Sequence, residues 1–170
     1  MCIRDSGFTD GRDVDPKASL TDLENLEEYI SDKNCEIASI IGRYYSMDRD
    51  NRWGRTKLAY DLICKGQGKQ TTNFISEIKN SHKENCTDEF LKPMLKVDDN
   101  GNPIGIINNK DVVVFFNFRT DRGRQLTKVM TQDGFNEFET ENHNYHFVTM
   151  TNYDNSFKNI EVVFENENLK

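Results

Sequence analysis

A short apolar run constrains the fold of this chain more than any other feature of its sequence. Residues 37–41 read Ile-Ala-Ser-Ile-Ile, and Gly42 closes the run before a long polar segment. Near-continuous apolar character of this kind is typical of a strand that is buried on both faces of a parallel sheet. A helical pattern begins at Thr56, directly after the polar segment. The sequence therefore predicts one β–α unit of an α/β domain.

The polar segment between that strand and that helix is dense in arginine. It spans residues 42–55 and contains Arg43, Arg49, Arg52 and Arg55. Open α/β sheets place ligand sites in the crevice at the carboxyl ends of their strands, where this segment begins. The guanidinium group is a planar fork of donors that matches carboxylate and phosphate oxygens. The segment therefore predicts a site for a small anion.

The other arginines are grouped too, although the chain is acidic overall, with a formal net charge of -7. Apart from Arg4, they fall in two further motifs, TDGRD at residues 9–13 and FNFRTDRGR at residues 116–124. We refer to residues 9–13, 42–55 and 116–124 as the first, second and third arginine loops. Surface ion pairs with acidic neighbours in the same loops would also explain the pattern, because such pairs are common and weak.

Composition permits a single domain with a modest core. The chain has 170 residues, of which 35% are hydrophobic, and its mean hydropathy of -0.78 is polar for a globular protein. No apolar run reaches the roughly 18 residues that a membrane span needs, and the sequence shows no signal peptide with a basic start and an apolar centre. The four cysteines show neither CxxC pairing nor metal spacing. We therefore expect one cytoplasmic domain with reduced thiols.

The remaining sequence alternates between strand and helix patterns. Amphipathic spacing predicts helices at residues 16–32, 56–65, 71–83 and 121–132. Apolar β-formers predict strands at residues 7–9, 35–41, 112–116, 146–150 and 160–164. An Asn-Gly step at residues 100–101 predicts a hairpin between residues 89–97 and 104–107. We therefore expect a three-layer α/β domain with a mostly parallel central sheet, in which residues 112–116 are a central strand, and a small antiparallel hairpin annex.

The first six residues have a separate origin in our interpretation. The string MCIRDS at residues 1–6 resembles the translation of a transposon-end adapter used in short-read library preparation. We expect these residues to be adapter-derived and the preceding part of the protein to be absent, so the fold prediction starts at Gly7.

Five motifs occur in a fixed order along the chain. They read FxDGRD, GRYYxMDRDxRW, DEFxxP, VxFFNFRxDRxR and TxTxYD, at residues 8–13, 42–53, 88–93, 113–124 and 149–154. Together they resemble the cofactor-independent phosphoglycerate mutases, the metal-dependent enzymes that need no bisphosphoglycerate. Each motif alone would be weak, but the set covers nearly the whole chain from Gly7.

The resemblance implies a function within a larger enzyme. In that family an alkaline-phosphatase-like domain carries two manganese ions and a nucleophilic serine, and a transferase domain inserted into it holds the glycerate. Residues 7–170 resemble most of the transferase domain, with the phosphatase domain absent, so the resemblance implies no metal site here. The implied reaction interconverts 3-phosphoglycerate and 2-phosphoglycerate in glycolysis through a phosphoserine intermediate. We expect the complete enzyme to be monomeric, and this chain alone to be inactive.

The resemblance also implies roles for individual residues. By motif match, the substrate-binding residues are Arg12, Asp13, Arg43, Arg49, Arg119 and Arg122. Asp13 also matches the catalytic carboxylate that exchanges protons with the glycerate hydroxyls. Several fixed guanidiniums suit this substrate, because phosphoglycerate carries both a carboxylate and a phosphate.

Other readings of the same residues stay open. One is a non-catalytic small-anion-binding α/β domain, since the sequence contains no nucleophile motif and no metal cluster. Another is nucleic-acid binding, which clustered arginines beside aromatic residues suggest and a net charge of -7 disfavours. We expect Arg52 and Arg55 to brace the second arginine loop or lie on the helix surface, and Arg124 to be a solvated helix residue. Packing is the expected role of Tyr44, Tyr45 and Trp53, and His82, His143 and His146 are interpreted as ordinary surface or core residues.

Overall fold

The computed structural model describes residues 2–141 and 144–165, which form an α/β fold. The helices are α1 Ser19–Ile30, α2 Arg43–Ser46, α3 Trp53–Lys65, α4 Phe74–Lys83 and α5 Thr120–Thr131. The strands are β1 Ile3–Thr9, β2 Cys35–Gly42, β3 Lys69–Thr71, β4 Met94–Lys96, β5 Val112–Phe115, β6 His146–Thr151 and β7 Ile160–Phe164. A 3-10 turn, Asp88–Phe90, precedes β4. Within these ranges, none of the helices combines the length and apolar character that crossing a membrane requires.

The strands divide between two sheets that are mostly parallel. The first has the order β1-β2-β4-β3, with only the β2–β4 pair antiparallel, and the second has the order β5-β6-β7, with every pair parallel. The predicted α/β class and the mostly parallel pairing are confirmed. The expected single central sheet is divided because β1 and β5 are both edge strands that meet through side chains. The rings of Phe8 and Phe115 lie 5.9 Å apart, edge to face.

The first sheet is the middle of three layers. On one face, Ile37 and Ile40 of β2 pack with apolar residues of α1 and α4. On the other face, Ile41 packs with α3 and α5. The neighbouring strand β4 alternates in the same way, so that Met94 lies in the first cluster and Leu95 in the second. The predicted burial of the residue 37–41 run on both faces is therefore confirmed.

The strand predicted as the centre of the sheet is at an edge. β5 pairs only with β6 within the described residues, and Val112 and Val114 are 67% and 56% exposed. Its other face is the one that packs, since Val113 and Phe115 lie against the main core cluster. The prediction of a central strand is wrong. An apolar run indicates only that its residues favour burial, and the position of the strand in the sheet and the burial of its faces depend on the elements that pack beside it.

The predicted hairpin annex is also reorganised. Val97 and Pro103 form an isolated antiparallel bridge around the Asn-Gly turn, and Asp98 donates its N–H to the Asn102 carbonyl at 2.8 Å. Residues 104–107 form no strand. The Ile104 N–H still donates to the Lys96 carbonyl at 3.1 Å, but the Ile107 N–H donates to the Ile63 carbonyl at 3.0 Å instead of continuing the hairpin. The other half of the predicted hairpin supplies β4, which joins the first sheet beside β3.

Element ends follow local chemistry. Helix α4 begins at Phe74 rather than at the predicted residue 71, since Asn73 caps it by accepting the Ser76 N–H at 2.8 Å. Helix α3 ends at Gly66, which has the left-handed φ of 63° that glycine adopts without strain. The strand predicted at residues 7–9 extends back to Ile3, with a register irregularity between Asp5 and Ser6. The adapter origin of residues 1–6 stays a prediction.

Candidate functional site

The three arginine loops meet because the strands before them end at neighbouring positions. Parallel pairing of β1 and β2 aligns Thr9 with Gly42, so the first and second loops start side by side. The third loop follows β5, whose Phe115 contacts Phe8 near the end of β1. Between the loops lies a cleft of about 400 Å³. The arginines that line it are Arg12, Arg43, Arg49, Arg52, Arg55 and Arg122.

Arg43 is the most deeply placed of these guanidiniums. It begins α2 directly after β2 and is 5% exposed. Its Nη1 donates to Asp10 Oδ1 at 2.5 Å and to Asp13 Oδ2 at 2.6 Å. Asp10 is a fixed position of the FxDGRD motif, but it was not among the residues predicted to bind the substrate. The structure thus ties the first loop to the second through one buried cation.

The first loop is a tight turn that Asp10 organises. Asp10 Oδ1 accepts the backbone N–H groups of Arg12 and Asp13, both at 3.2 Å, and Gly11 has a positive φ of 61°. Burial raises the pKa of the Asp10 carboxyl, but hydrogen bonds from Arg43 and from these two N–H groups outweigh it. The net result is a lowered pKa, so Asp10 stays ionised beside Arg43.

Asp13 links the first loop to the third. Its Oδ2 lies 3.7 Å from Nη1 of Arg119, in addition to its bond with Arg43. Arg119 itself reaches the edge of the cleft rather than its wall, with its Nε 3.6 Å from Asp121 Oδ1. Asp13 therefore lies between the guanidiniums of Arg43 and Arg119, but neither Asp13 nor Arg119 is among the residues that line the cleft, and the roles predicted for them stay predictions.

Arg49 and Arg122 form another wall of the cleft, separate from the one that contains Arg12 and Arg43. Nη1 of Arg49 donates to Asp121 Oδ2 at 2.9 Å. Nη1 of Arg122 donates to the Met47 carbonyl at 2.9 Å, and its buried Nε has no hydrogen-bond partner in the described part of the chain. Burial, together with the positive charges of Arg49 and Arg43, lowers the pKa of Arg122. Arg122 is thus a cation without a carboxylate partner among the described side chains, which favours the binding of an anion.

The second loop is held by Asp48, a buried residue that the sequence analysis did not identify as functional. Asp48 Oδ2 accepts the N–H groups of Asp50 and Arg52 at 3.0 and 2.9 Å, and its Oδ1 lies 3.4 Å from Nη1 of Arg55. Burial raises the pKa of Asp48, but the hydrogen bonds from the N–H groups of Arg52 and Asp50 outweigh it, so the net shift of the pKa is downward. The prediction that Arg52 and Arg55 brace the loop is confirmed, but both also line the cleft.

Tyr44 forms part of the same wall through its aromatic face. The guanidinium carbon of Arg55 lies 3.6 Å from the centroid of the Tyr44 ring, and Phe90 packs against that ring at 5.0 Å. Tyr44 therefore packs as predicted and also lines the cleft. Trp53 packs against Phe135.

The third loop is held by Tyr153. The buried Tyr153 hydroxyl donates to the carbonyl of Asn117, and the Arg124 Nε donates to the Tyr153 carbonyl at 2.9 Å. A Cβ on Gly123 would lie 2.5 Å from the Tyr153 ring, so only glycine leaves room for this contact. Burial raises the pKa of Tyr153, so the hydroxyl stays a donor. Arg124, predicted as a solvated helix residue, is half-exposed and has this structural bond.

The histidines take two different positions. His82 is buried, with its Nε2 2.7 Å from Asp88 Oδ1, and His146 is exposed beside Glu161 at 2.9 Å. His143 lies outside the described residues. Across residues 2–141 and 144–165, no three side chains of His, Cys, Asp or Glu come together in a way that could hold a metal ion.

Similar proteins are found both by sequence and by structure. The chain matches the family model described as BPG-independent PGAM N-terminus over residues 4–155. It is 51% identical over 162 residues to the 2,3-bisphosphoglycerate-independent phosphoglycerate mutase of Flavobacterium psychrophilum, covering 95% of this chain and 32% of the relative. The protein of the same name from Methanococcoides burtonii is 45% identical over 166 residues, covering 96% of this chain and 32% of the relative.

A solved structure agrees with these matches. Phosphoglycerate mutase from Leishmania mexicana, crystallised at low cobalt concentration, superimposes with a TM-score of 0.79 at 28% identity, over 90% of this chain and 30% of that one. This chain therefore spans 32% of the length of the curated relatives it matches. The resemblance inferred from the five motifs is confirmed, and the chain belongs to the BPG-independent PGAM N-terminus family.

Proposed function

We propose that this chain is the substrate-binding part of a metal-dependent phosphoglycerate mutase, and that its arginine-lined cleft binds 3-phosphoglycerate and 2-phosphoglycerate. The observation that carries the proposal is the convergence of Arg12, Arg43, Arg49 and Arg122 on one cleft, with Asp13 at its edge. The family membership and the phosphoglycerate mutases among the relatives support the same substrate.

The chemistry of the cleft suits a ligand with two anionic ends. Arg122 has no carboxylate partner in the described structure, so its guanidinium is available to a phosphate or carboxylate. Arg43 is already held by Asp10 and Asp13, which fixes its fork before the ligand arrives. Pre-positioned donors orient a small substrate without an additional loss of side-chain entropy on binding.

Asp13 is the residue proposed to exchange protons with the glycerate hydroxyls. Its side chain is more than half exposed and contacts both Arg43, which lines the cleft, and Arg119. A general base must lie within hydrogen-bond reach of the proton that it takes. A hydroxyl of a ligand whose charged ends contact the arginines would meet that condition at Asp13.

The phosphoryl-transfer chemistry belongs to a different part of the enzyme in this proposal. The described residues hold no cluster that fits a metal ion, so no chemical step in this chain is assigned to one. We infer that the two manganese ions and the serine nucleophile of the glycolytic reaction are supplied by the phosphatase domain of the same, longer, monomeric and cytoplasmic polypeptide. The chain spans 32% of its relatives, which is consistent with such a division.

Calorimetric titration with 3-phosphoglycerate tests the proposal. We expect saturable binding by the chain, and we expect Arg122→Met to weaken it by about tenfold or more, since one charge-assisted hydrogen bond contributes roughly 1.5–3 kcal/mol. Arg4→Met is the matched control, because Arg4 pairs with Glu36 away from the cleft. A coupled assay of the chain alone should show no formation of 2-phosphoglycerate above a blank without protein. Equal weakening by both variants, or turnover that survives repurification, would contradict the proposal.

A non-catalytic domain that binds small anions is the alternative, and the lack of a metal cluster in the described part of the chain favours it. The same titration separates the two functions. Inorganic phosphate and sulfate should bind far more weakly than 3-phosphoglycerate if the cleft is built for a ligand with two charged ends. Comparable affinities for the three anions would favour the alternative.

A further inference from the structure

A buried carboxylate outside the cleft connects the elements that carry the first arginine loop. Asp88, at the start of the 3-10 turn Asp88–Phe90, is 1% exposed. Its Oδ2 accepts the N–H of Ser19 at 2.8 Å, and its Oδ1 accepts the Ser19 hydroxyl at 2.5 Å. Nε2 of His82 lies 2.7 Å from the same Oδ1. The carboxylate thus joins the start of α1 to the end of α4, and each of its oxygens has at least one partner within the protein.

The backbone of the same turn holds both ends of the first loop. The Asp88 carbonyl accepts the Thr9 hydroxyl at 2.7 Å, and the Asp88 N–H donates to the Pro16 carbonyl at 3.0 Å. Thr9 is the last residue of β1, and Pro16 lies just before α1. The loop that presents Arg12 and Asp13 is therefore fixed where it leaves the strand and where it approaches the helix.

Two glycines let this turn pack against the first and second arginine loops, which carry Arg12 and Arg43 and form what we call the deep wall of the cleft. A Cβ on Gly11 would lie 2.6 Å from the Glu89 nitrogen, and a Cβ on Gly42 would lie 2.3 Å from the Glu89 carbonyl oxygen. Gly42 also donates its N–H to the Leu91 carbonyl at 2.9 Å. The turn is thus wedged between the residue before Arg12 and the residue before Arg43.

We propose that Asp88 is a positioning residue, which sets Arg12 and Asp13 at the correct separation from Arg43 by locking the Asp88–Phe90 turn between the first and second arginine loops. The side chain of Asp88 does not reach the cleft, whereas the next residue does, since Glu89 lines the cleft and its Oε1 lies 3.5 Å from Nη1 of Arg12. Precise separation matters because a displacement of about 1 Å can weaken a multidentate contact substantially. This inference rests on the proposed function for its consequence on binding, but the positioning itself is measurable without a ligand.

Hydrogen exchange of the ligand-free chain is the first arm of the test. Asp88→Asn removes the charge at nearly constant shape, and we expect faster exchange at residues 10–13 with unchanged exchange at residues 120–131. Asp98→Asn is the matched control, because the Asp98 side chain also organises a turn, by accepting the N–H groups of Asn100 and Asn102, but does so in the exposed segment at residues 98–102. Unchanged protection at residues 10–13, or an equal loss throughout both segments, would overturn the proposal.

A pair of double-mutant cycles with 3-phosphoglycerate is the second arm. We expect Asp88→Asn to weaken binding about tenfold in the unsubstituted chain and to have little further effect when Arg12→Ala is already present. On an Arg49→Ala background the tenfold loss should persist, because Asp121 holds Arg49 on the other wall. Ser19→Ala, which removes one donor to Asp88, should give a smaller loss with the same pattern even if Asp88→Asn folds poorly.

The possible outcomes separate the two proposals. If Asp88→Asn weakens binding by the same factor in the Arg12→Ala variant as in the Arg49→Ala variant, Asp88 acts only on general stability. That result would overturn the positioning role. Failure of the unsubstituted chain to bind 3-phosphoglycerate would contradict the proposed function, and the exchange experiment would then decide the positioning role alone.

Discussion

The two sheets supply the same cleft but are packed very differently. The first sheet has helices on both faces, and β2 is buried from Ile37 to Gly42. The second sheet packs one face on the core, through residues such as Phe147, and leaves the other face open at Val112 and Val114. The first sheet provides Arg12 and Arg43, and the second provides the loop with Arg119 and Arg122.

Because of this difference, the two walls of the cleft are held in place by different interactions. The deep wall is fixed by the three-layer core and by the ion pairs of Arg43. The other wall depends on contacts that cross to the second loop, between Arg122 and the Met47 carbonyl and between Arg49 and Asp121, and on the Tyr153 side chain beneath it. The comparison can be tested by substitutions on each side.

The largest effect is expected in the core of the first sheet. Leu95→Ala should lower the free energy of unfolding by about 3 kcal/mol, because it opens a cavity at a fully buried site between β2 and β3. Val114→Ala, on the open face of the second sheet, should cost less than about 0.5 kcal/mol. Urea denaturation of both variants measures the difference, and similar losses would show that the two sheets are equally packed.

An intermediate effect on stability is expected when the Tyr153 hydroxyl, which holds the third arginine loop, is removed. Tyr153→Phe removes the hydroxyl that donates to the Asn117 carbonyl while it keeps the buried ring. The free energy of unfolding should fall by about 1 kcal/mol, the net contribution of one hydrogen bond. Tyr29→Phe is the control, since Tyr29 is 67% exposed. If the third loop depends on Tyr153, hydrogen exchange should also quicken at residues 117–123 and not at residues 10–13.

The smallest effect is expected from the titration of Asp10. Its pKa is lowered in the folded chain, so its contribution to stability is present above the unfolded-state pKa of about 4 and is lost as the pH falls through the lower folded-state value. The loss should stay below about 1 kcal/mol, because Asp10 is partly exposed and solvent screens its ion pair with Arg43. Thermal melts between pH 3 and pH 6 measure it, and Asp10→Asn should flatten the curve. An unchanged slope in that variant would assign the acid sensitivity to other carboxylates, such as Asp48.

The meeting of the first and second arginine loops was predictable because it follows from the direction of two paired strands, whereas the third loop belongs to the second sheet and meets them through side-chain contacts such as Phe8 with Phe115. Residues 37–41 identify a buried strand, and parallel neighbours bring the loops at their carboxyl ends together. The braces beneath the loops were not predictable, since Asp88 meets Ser19 across 69 residues of sequence, and the motif that contains Asp88 does not indicate which residue its side chain contacts. Strand β3 was missed because Lys69–Thr71 is short and polar, so alternation cannot reveal it. The edge position of β5 depends on which neighbours are present, which the apolar run itself does not encode.

The open face of the second sheet has a consequence for how the isolated protein behaves in concentrated solution. Phe116 and Phe118 extend the exposed side of β5, and Phe118 stacks beside Phe164 at the end of β7, with 6.0 Å between ring centroids. An exposed apolar face that carries aromatic rings is a surface on which copies of a chain associate. Light scattering of the isolated chain should therefore rise with concentration and with added salt. Charged residues placed at positions 112 and 114, on the exposed side of β5, should suppress that rise without altering the cleft.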